Sequence, residues 1–358
     1  MRVQGRLLEA VALAVVVAGP LIVAPHANAL PVGYNEDPAR LVAVPSVVDR
    51  SNTQIARVAF LWPAIEPAED ELNWDEVDRV VGLLHQLHVR PLITVVGSPP
   101  WAGAGTPGIQ CACDRAMDPQ WQQLWQQVAL RYPDAILNIW NEPNIDDYGN
   151  VSVDRMAELV NEAAAAIWQV APGRTVVGPP MAPVGNWIPY AGALYRKLDP
   201  RVQLAANLYP RGHLVDNLRA ELGAVRRIAR KRPVWITETN VSRIDVSLGR
   251  QKAYVRQVYE LAKRKKVAGL IFHRLWSPFQ EGEFKAAGGL FSWDAGMSAL
   301  APNGHPGALY NAIGRLHRGF KPFVPEIAVD GTTTSVVVEP PPQPELSSYW
   351  TLPEVCSE

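Results

Sequence analysis

The sequence predicts an α/β fold of the (β/α)8 barrel class, followed by a short β-rich or disordered C-terminal tail. Extended apolar runs alternate with helical patterns through eight rounds in order, the mark of a parallel sheet covered by helices. The part of the chain that does so, residues 30–320, suits a barrel of ~250 residues plus insertions. No Gly-x-Gly-x-x-Gly turn follows any of the runs, so nothing points to a dinucleotide fold.

Pro31 to Tyr34 is a weak first strand, and a helix is expected from Pro38 to Asp49. Ala56 to Leu61 forms the second strand. The helix from Trp74 to Leu87 after it places Val77, Val80, Val81 and Leu84 on one face. Arg90 to Val96 is the third strand, Pro119 to Tyr132 its helix, and Ala135 to Trp140 the fourth strand. An Ala-rich helix, Val153 to Val170, is stopped by Ala171-Pro172-Gly173, and Thr175 to Gly178 is the fifth strand. Tyr190 to Leu198 is helical, Val202 to Leu208 is the sixth strand, and Leu214 to Arg230 is a basic amphipathic helix. Pro233 to Thr237 with Leu248 to Lys265, then Val267 to Phe272 with Gly307 to Leu316, complete the ring. The run Lys263-Arg264-Lys265-Lys266 reads as a solvated helix end favoured by the helix dipole.

The two ends read differently. Arg2 and Arg6 precede an apolar block from Ala10 to Ala18, and Ala27-Asn28-Ala29 supplies the small-x-small pattern of a signal-peptidase site. Gly19-Pro20 breaks the block well short of the ~20 apolar residues of a membrane span, so residues 1–29 are expected to be a cleaved secretory signal and the protein to be secreted. No later segment is long and apolar enough to cross a bilayer. Residues 321–358 hold an apparent hairpin, Glu326 to Val329 and Thr332 to Val338 joined by Asp330-Gly331, followed by the Pro-rich stretch Pro340 to Pro344.

Lys+Arg 34 against Asp+Glu 35 gives a net charge of −1, which argues against nucleic acid as a partner. Three cysteines cannot staple a chain of this size, and Cys111-Ala112-Cys113 has no further ligands at metal spacing, so neither metal nor other cofactor is expected. A small loop disulfide between Cys111 and Cys113 stays open, as does the oligomeric state. The 12 Trp residues exceed what the length requires and lean toward carbohydrate, because sugar C–H faces stack on indoles.

Two runs end in carboxylates: Ile136-Leu137-Asn138-Ile139-Trp140-Asn141-Glu142-Pro143, and Val234-Trp235-Ile236-Thr237-Glu238. In a barrel the active site is built on the C-terminal ends of the strands, so Glu142 and Glu238 would share one rim. A lone glutamate after a strand is ordinarily a helix cap or a surface ion pair. Two of them, delivered by strands four and seven, supply what cleavage of a glycosidic bond needs. Arg57, early in the apolar second strand, needs a carboxylate partner once buried. Trp140 is expected to pack rather than to meet substrate. Trp62 and Trp101 fit either sugar stacking or packing of the barrel top.

With these pieces in order, the chain resembles the clan A glycoside hydrolases, retaining enzymes on (β/α)8 barrels that include families 5 and 39. Asn141-Glu142-Pro143 and Thr237-Glu238 match the strand-four and strand-seven signatures. Trp62-x-x-Ile65-Glu66-Pro67, Asn73-Trp74-Asp75 and Ser98-Pro99-Pro100-Trp101-Ala102 are similar to family 39 loops. The resemblance implies Glu142 as acid/base, Glu238 as nucleophile, and Asn141 as donor to the sugar 2-hydroxyl. It also implies Arg57 as the residue that holds the nucleophile ionised, Tyr209 as its hydrogen-bond partner, and an oligosaccharide, polysaccharide or glycoside as substrate. Two departures stand out. Asn207 occupies a position where members often carry His, and the strand-eight aromatic platform falls on Trp276 with His273 close by. A carbohydrate-binding protein on a catalytically degenerate barrel, or a transglycosylase using the same residues, are the alternative functions.

Overall fold

The computed structural model describes residues 30–102, 118–149, 151–210, 214–277, 296–301 and 305–316. The expected signal segment, the C-terminal hairpin and Pro-rich stretch, and all three cysteines lie outside the described residues.

Eight parallel strands form the nearly closed barrel: β1 Val32–Glu36, β2 Ile55–Leu61, β3 Arg90–Val96, β4 Ile136–Ile139, β5 Val176–Val177, β6 Leu204–Leu208, β7 Val234–Thr239 and β8 Gly269–His273. Their hydrogen-bonded order is β5-β4-β3-β2-β1-β8-β7-β6. The remaining seam between β5 and β6 is bridged at Val177 and Gln203, where Gln203 N–H donates to Val176 O and Gly178 N–H to Gln203 O, both at 2.9 Å. Around them lie α1 Pro38–Ala43, α2 Pro45–Arg50, α3 Trp62–Ile65, α4 Asp75–Gln86, α5 Asp118–Arg131, α6 Val153–Val170, α7 Trp187–Lys197, α8 Leu214–Ala229, α9 Leu248–Arg264 and α10 Ala308–Gly314. As the spacing predicts, α4 buries Val77, Val80, Val81 and Leu84. Ser152 and Ser247 cap α6 and α9 by accepting from the N–H groups of Arg155 and Arg250.

Several expectations are corrected. The helix expected over Pro38 to Asp49 is two helices, because Pro45 has no N–H to continue the first and starts the second. The short α3 has no counterpart in the sequence reading. β1 runs on to Glu36, adding buried Asn35 and Glu36 to the barrel. β7 runs on to Thr239, so Glu238 lies within the strand rather than after it. The β6–β7 register skips Thr237, pairing Ala206 with Ile236 and Asn207 with Glu238.

The barrel interior has two storeys. Ile55, Leu92, Ile136, Val177, Ala205, Trp235 and Ile271, one from each of β2 to β8, pack into an apolar plug. Gly33 of β1 is level with Ile55 and Ile271. Gly269 leaves room for the indole of Trp235, which lies where a Cβ would otherwise collide with it. Two residues further along, by the period of a strand, come Asn35, Arg57, Thr94, Asn138, Asn207, Thr237 and His273. The upper storey is thus polar.

Outside the sheet, much of the tryptophan excess is core. Trp62, Trp121, Trp125 and Trp140 are each fully buried. Trp121 lies 5.3 Å from Trp62, 5.6 Å from Trp125 and 5.8 Å from Trp140 between ring centroids. The count of Trp therefore says less about carbohydrate than the sequence suggests.

Candidate active site

The strand-four segment is bent into place by backbone of unusual shape. Trp140 and Glu142 have φ of 66° and 40°, in the left-handed region that costs a side-chain-bearing residue on the order of 1–3 kcal/mol. Trp140 thereby leaves the barrel interior for Trp121, and its Nε1 donates to Tyr148 O at 3.1 Å. The N–H of Glu142 donates to Pro180 O at 2.9 Å, tying the segment to the exit of β5. Asn141 and Glu142 are left facing the polar storey.

Arg57 organises that storey. It is 1% exposed, and every nitrogen has an acceptor. Nη1 donates to Glu238 Oε1 at 2.5 Å and to Asn35 Oδ1 at 3.0 Å. Nη2 donates to Asn141 Oδ1 at 2.8 Å, and Nε to Asn138 Oδ1 at 3.1 Å. Asn138 is itself fixed, accepting from Thr94 Oγ1 at 3.1 Å and donating to Gly178 O at 2.9 Å. Four strands are joined by one guanidinium, which satisfies the charge-assisted pairing that its burial demands.

Glu238 accepts a second strong hydrogen bond, from Tyr209 Oη to Oε2 at 2.5 Å. His273 Nδ1 lies 3.9 Å from the same oxygen and 2.9 Å from Asn35 Nδ2. Because Asn35 Oδ1 is engaged by Arg57, its Nδ2 is the end that faces His273 Nδ1.

Glu142 stands in a different environment. Its only strong donor among the described residues is neutral: Asn207 Nδ2 reaches Oε1 at 2.7 Å. Asn207 is fully buried, and its Oδ1 accepts from Thr237 Oγ1 at 2.9 Å. Burial, and after it the charge of Glu238, push the Glu142 pKa up to about 7, against smaller lowering effects of Asn207, Arg57 and His273. Tyr148, beside Asn141, is pushed well above the usual phenol range by burial and then by the two glutamates.

The structure brings together Glu142, Glu238, Asn141, Arg57, Tyr209, Asn207 and His273 as the sequence predicts. It does not bring Trp276 to them. That ring is 1% exposed within the main core, and its backbone N–H donates to Glu36 Oε2 at 2.7 Å, so it offers no face to a sugar. Trp101 is half-buried, its edge against Trp62 with centroids 5.8 Å apart and its Nε1 donating to Glu66 O at 2.8 Å, which is a packing arrangement. Asn207 touches the acid/base candidate rather than standing apart as a sugar contact. Sequence reasoning missed Asn35, Asn138, Thr94 and Tyr148. For Asn138 and Thr94, a polar residue two positions after an inward apolar one (Ile136 and Leu92) was the available signal. Among the described residues, no group of three or more His, Cys, Asp or Glu side chains is placed to hold a metal ion.

No family model matches the sequence, and no curated protein matches it. Solved structures do match its shape. A family 39 glycoside hydrolase from Bacteroides cellulosilyticus superposes with a TM-score of 0.60 at 16% identity, over 81% of this chain and 63% of that one. A family 39 β-xylosidase from Caulobacter crescentus gives 0.58 at 16%, over 80% and 70%. A family 5 member from Bifidobacterium longum, in complex with Manβ1-4GlcNAc, gives 0.62 at 11%, over 80% and 77%. The chain thus spans less than two thirds of the length of the first of these. The (β/α)8 barrel with its polar upper storey shares the fold of solved family 39 and family 5 glycoside hydrolases.

Proposed function

We propose that this protein is a secreted glycoside hydrolase that cleaves a β-O-glycosidic bond with retention of configuration. The observation that carries this reading is that two carboxylates in one storey have opposed environments. Glu238 accepts hydrogen bonds from a guanidinium and a phenol. Glu142 has a single neutral donor and a pKa pushed up to about 7. A carboxyl group with a raised pKa beside one paired with a guanidinium divides the two into acid and nucleophile.

In this mechanism Glu238 attacks the anomeric carbon while Glu142 passes its proton to the departing glycosidic oxygen. The ester formed removes the negative charge on Glu238, and with it one cause of the raised Glu142 pKa. Glu142, left ionised by that transfer and stable as a carboxylate beside the ester, acts as a base. It takes a proton from the water that attacks the anomeric carbon, the ester bond breaks, the sugar is released, and Glu238 returns as carboxylate with Glu142 again protonated. Asn141 is anchored through its Oδ1 by Arg57 and hydrogen-bonded to Tyr148, and its amide N–H is the donor to the sugar 2-hydroxyl. The substrate is a glycan or glycoside; the similar structures carry several sugar specificities and do not single one out.

Glu238→Ala tests the reading with a panel of activated aryl xylosides, glucosides, mannosides and arabinosides. Turnover should fall by at least about a thousandfold and recover in part with azide, yielding a glycosyl azide of inverted configuration. Normal turnover by the variant would refute it. Binding of glycans by the wild type without any product would favour a binding protein on this barrel.

A further inference from the structure

We infer that Thr237 and Asn207 form a positioning relay that fixes which oxygen of Glu142 carries the transferable proton. The inference deepens the proposed reaction and rests on Glu142 being its acid/base.

A carboxamide has two chemically different ends that are nearly equal in size, and what it does to a neighbouring carboxyl group depends on which end is presented. Asn207 and Thr237 are both fully buried, so water cannot decide the matter. The hydroxyl of Thr237 has one proton and two acceptors in reach, Asn207 Oδ1 at 2.9 Å and Ala206 O at 3.3 Å. The nearer is Oδ1. With Oδ1 engaged, Nδ2 is the end turned to Glu142 Oε1 at 2.7 Å. An oxygen that accepts this N–H is a poor place for the carboxyl proton, which would point at a donor. The proton of the acid form therefore resides on Oε2, and the same N–H stabilises Oε1 when Glu142 ionises as base.

The placement depends on the irregularity between β6 and β7. Because the register skips Thr237, residue 207 pairs with Glu238 while the Thr237 hydroxyl turns back to β6. A straight ladder would pair Asn207 with Thr237 itself. The other ionisable groups around Glu142 are Glu238, Arg57, His273 and Tyr148, and neither relay residue touches Glu238 by hydrogen bond among the described contacts. Thr237 is one residue from the nucleophile, yet its side chain serves the acid.

Thr237→Val removes the hydroxyl at nearly constant shape. Kinetics should be measured on paired aryl glycosides, one with a phenol leaving group that needs protonation and one with a dinitrophenol that does not. For the phenyl substrate kcat/KM should fall about tenfold and the alkaline limb of its pH profile should move to higher pH, while the dinitrophenyl substrate is cleaved at nearly the wild-type rate. Thr237→Ser, which keeps the hydroxyl, should restore both readouts. An unchanged leaving-group dependence and alkaline limb in Thr237→Val, or the same defect in Thr237→Ser, would overturn the relay. If Thr237→Val does not fold, Thr237→Ala, which also lacks the hydroxyl, is measured in its place, with the same two readouts supporting or overturning the relay in the same way. Glu142→Ala separates the two levels when read as kcat/KM, which reports the first step alone. A normal value for the phenyl substrate means that the acid/base assignment fails, whereas a large fall for the phenyl but not the dinitrophenyl substrate means that the assignment stands and the relay is judged on the variants above.

Discussion

Replacing Glu142 with Gln should cost activity and raise stability, and the gain should appear only as the pH rises. In the folded protein the Glu142 pKa lies at about 7 against an ordinary 4.5. A carboxyl group raised in this way binds its proton more tightly folded than unfolded. The contribution of Glu142 to stability is therefore greatest below pH 4.5, falls as the pH climbs toward 7, and levels off above it. The shift corresponds to about 3 kcal/mol. Gln has nearly the same shape, can accept from Asn207 Nδ2 as the glutamate does, and never ionises. Thermal denaturation of wild type and Glu142→Gln, at pH 4.5 and at pH 8, measures the difference without any substrate. The melting temperatures should nearly coincide at the lower pH and separate by roughly 6 °C at the higher, with the variant above. A separation independent of pH would show that ionising Glu142 costs the folded state nothing. A variant less stable at pH 8 would refute the argument altogether.

Tyr209→Phe removes a single hydroxyl from Glu238 Oε2 and should lower kcat/KM by roughly ten- to a hundredfold with little change in melting temperature, which steady-state kinetics and a melt check together. Arg57→Met leaves Glu238 buried without its cation and takes a donor from the amide oxygens of Asn35, Asn138 and Asn141; a loss on the order of 3–5 kcal/mol should appear in urea unfolding, with activity abolished in whatever folds. Gly269→Ala drives a methyl group into the ring of Trp235 at the base of the barrel, and should destabilise by about 1–3 kcal/mol while leaving the activity of the folded fraction intact.

The architecture is legible in the sequence because alternation of apolar runs with helical periods is a long-range pattern that survives small errors of boundary. The two glutamates are legible because each ends such a run. What sequence reasoning cannot see is what depends on contacts across the barrel. Trp276 falls in the cleft when judged only as an aromatic near the end of strand eight, but Glu36, a residue on a first strand longer than its apolar run suggests, draws its backbone into the core. Asn207 reads as a missing sugar contact when compared along the chain. Only the irregular pairing of β6 with β7 turns its amide toward Glu142. Pro45, by contrast, is a signal that the sequence does carry, since a proline seven residues into an expected helix is an invitation to restart it.

The apolar plug beneath the polar storey has a consequence for traffic. Seven hydrophobic side chains, packed against one another from seven strands, seal the underside of the reaction chamber. In the proposed reaction no route to the anomeric carbon leads through that plug, so water approaches from the side on which the aglycone departs. Release of the first product and entry of the second reactant become consecutive events, and a sluggish departure would give a sugar already at the threshold its advantage over water.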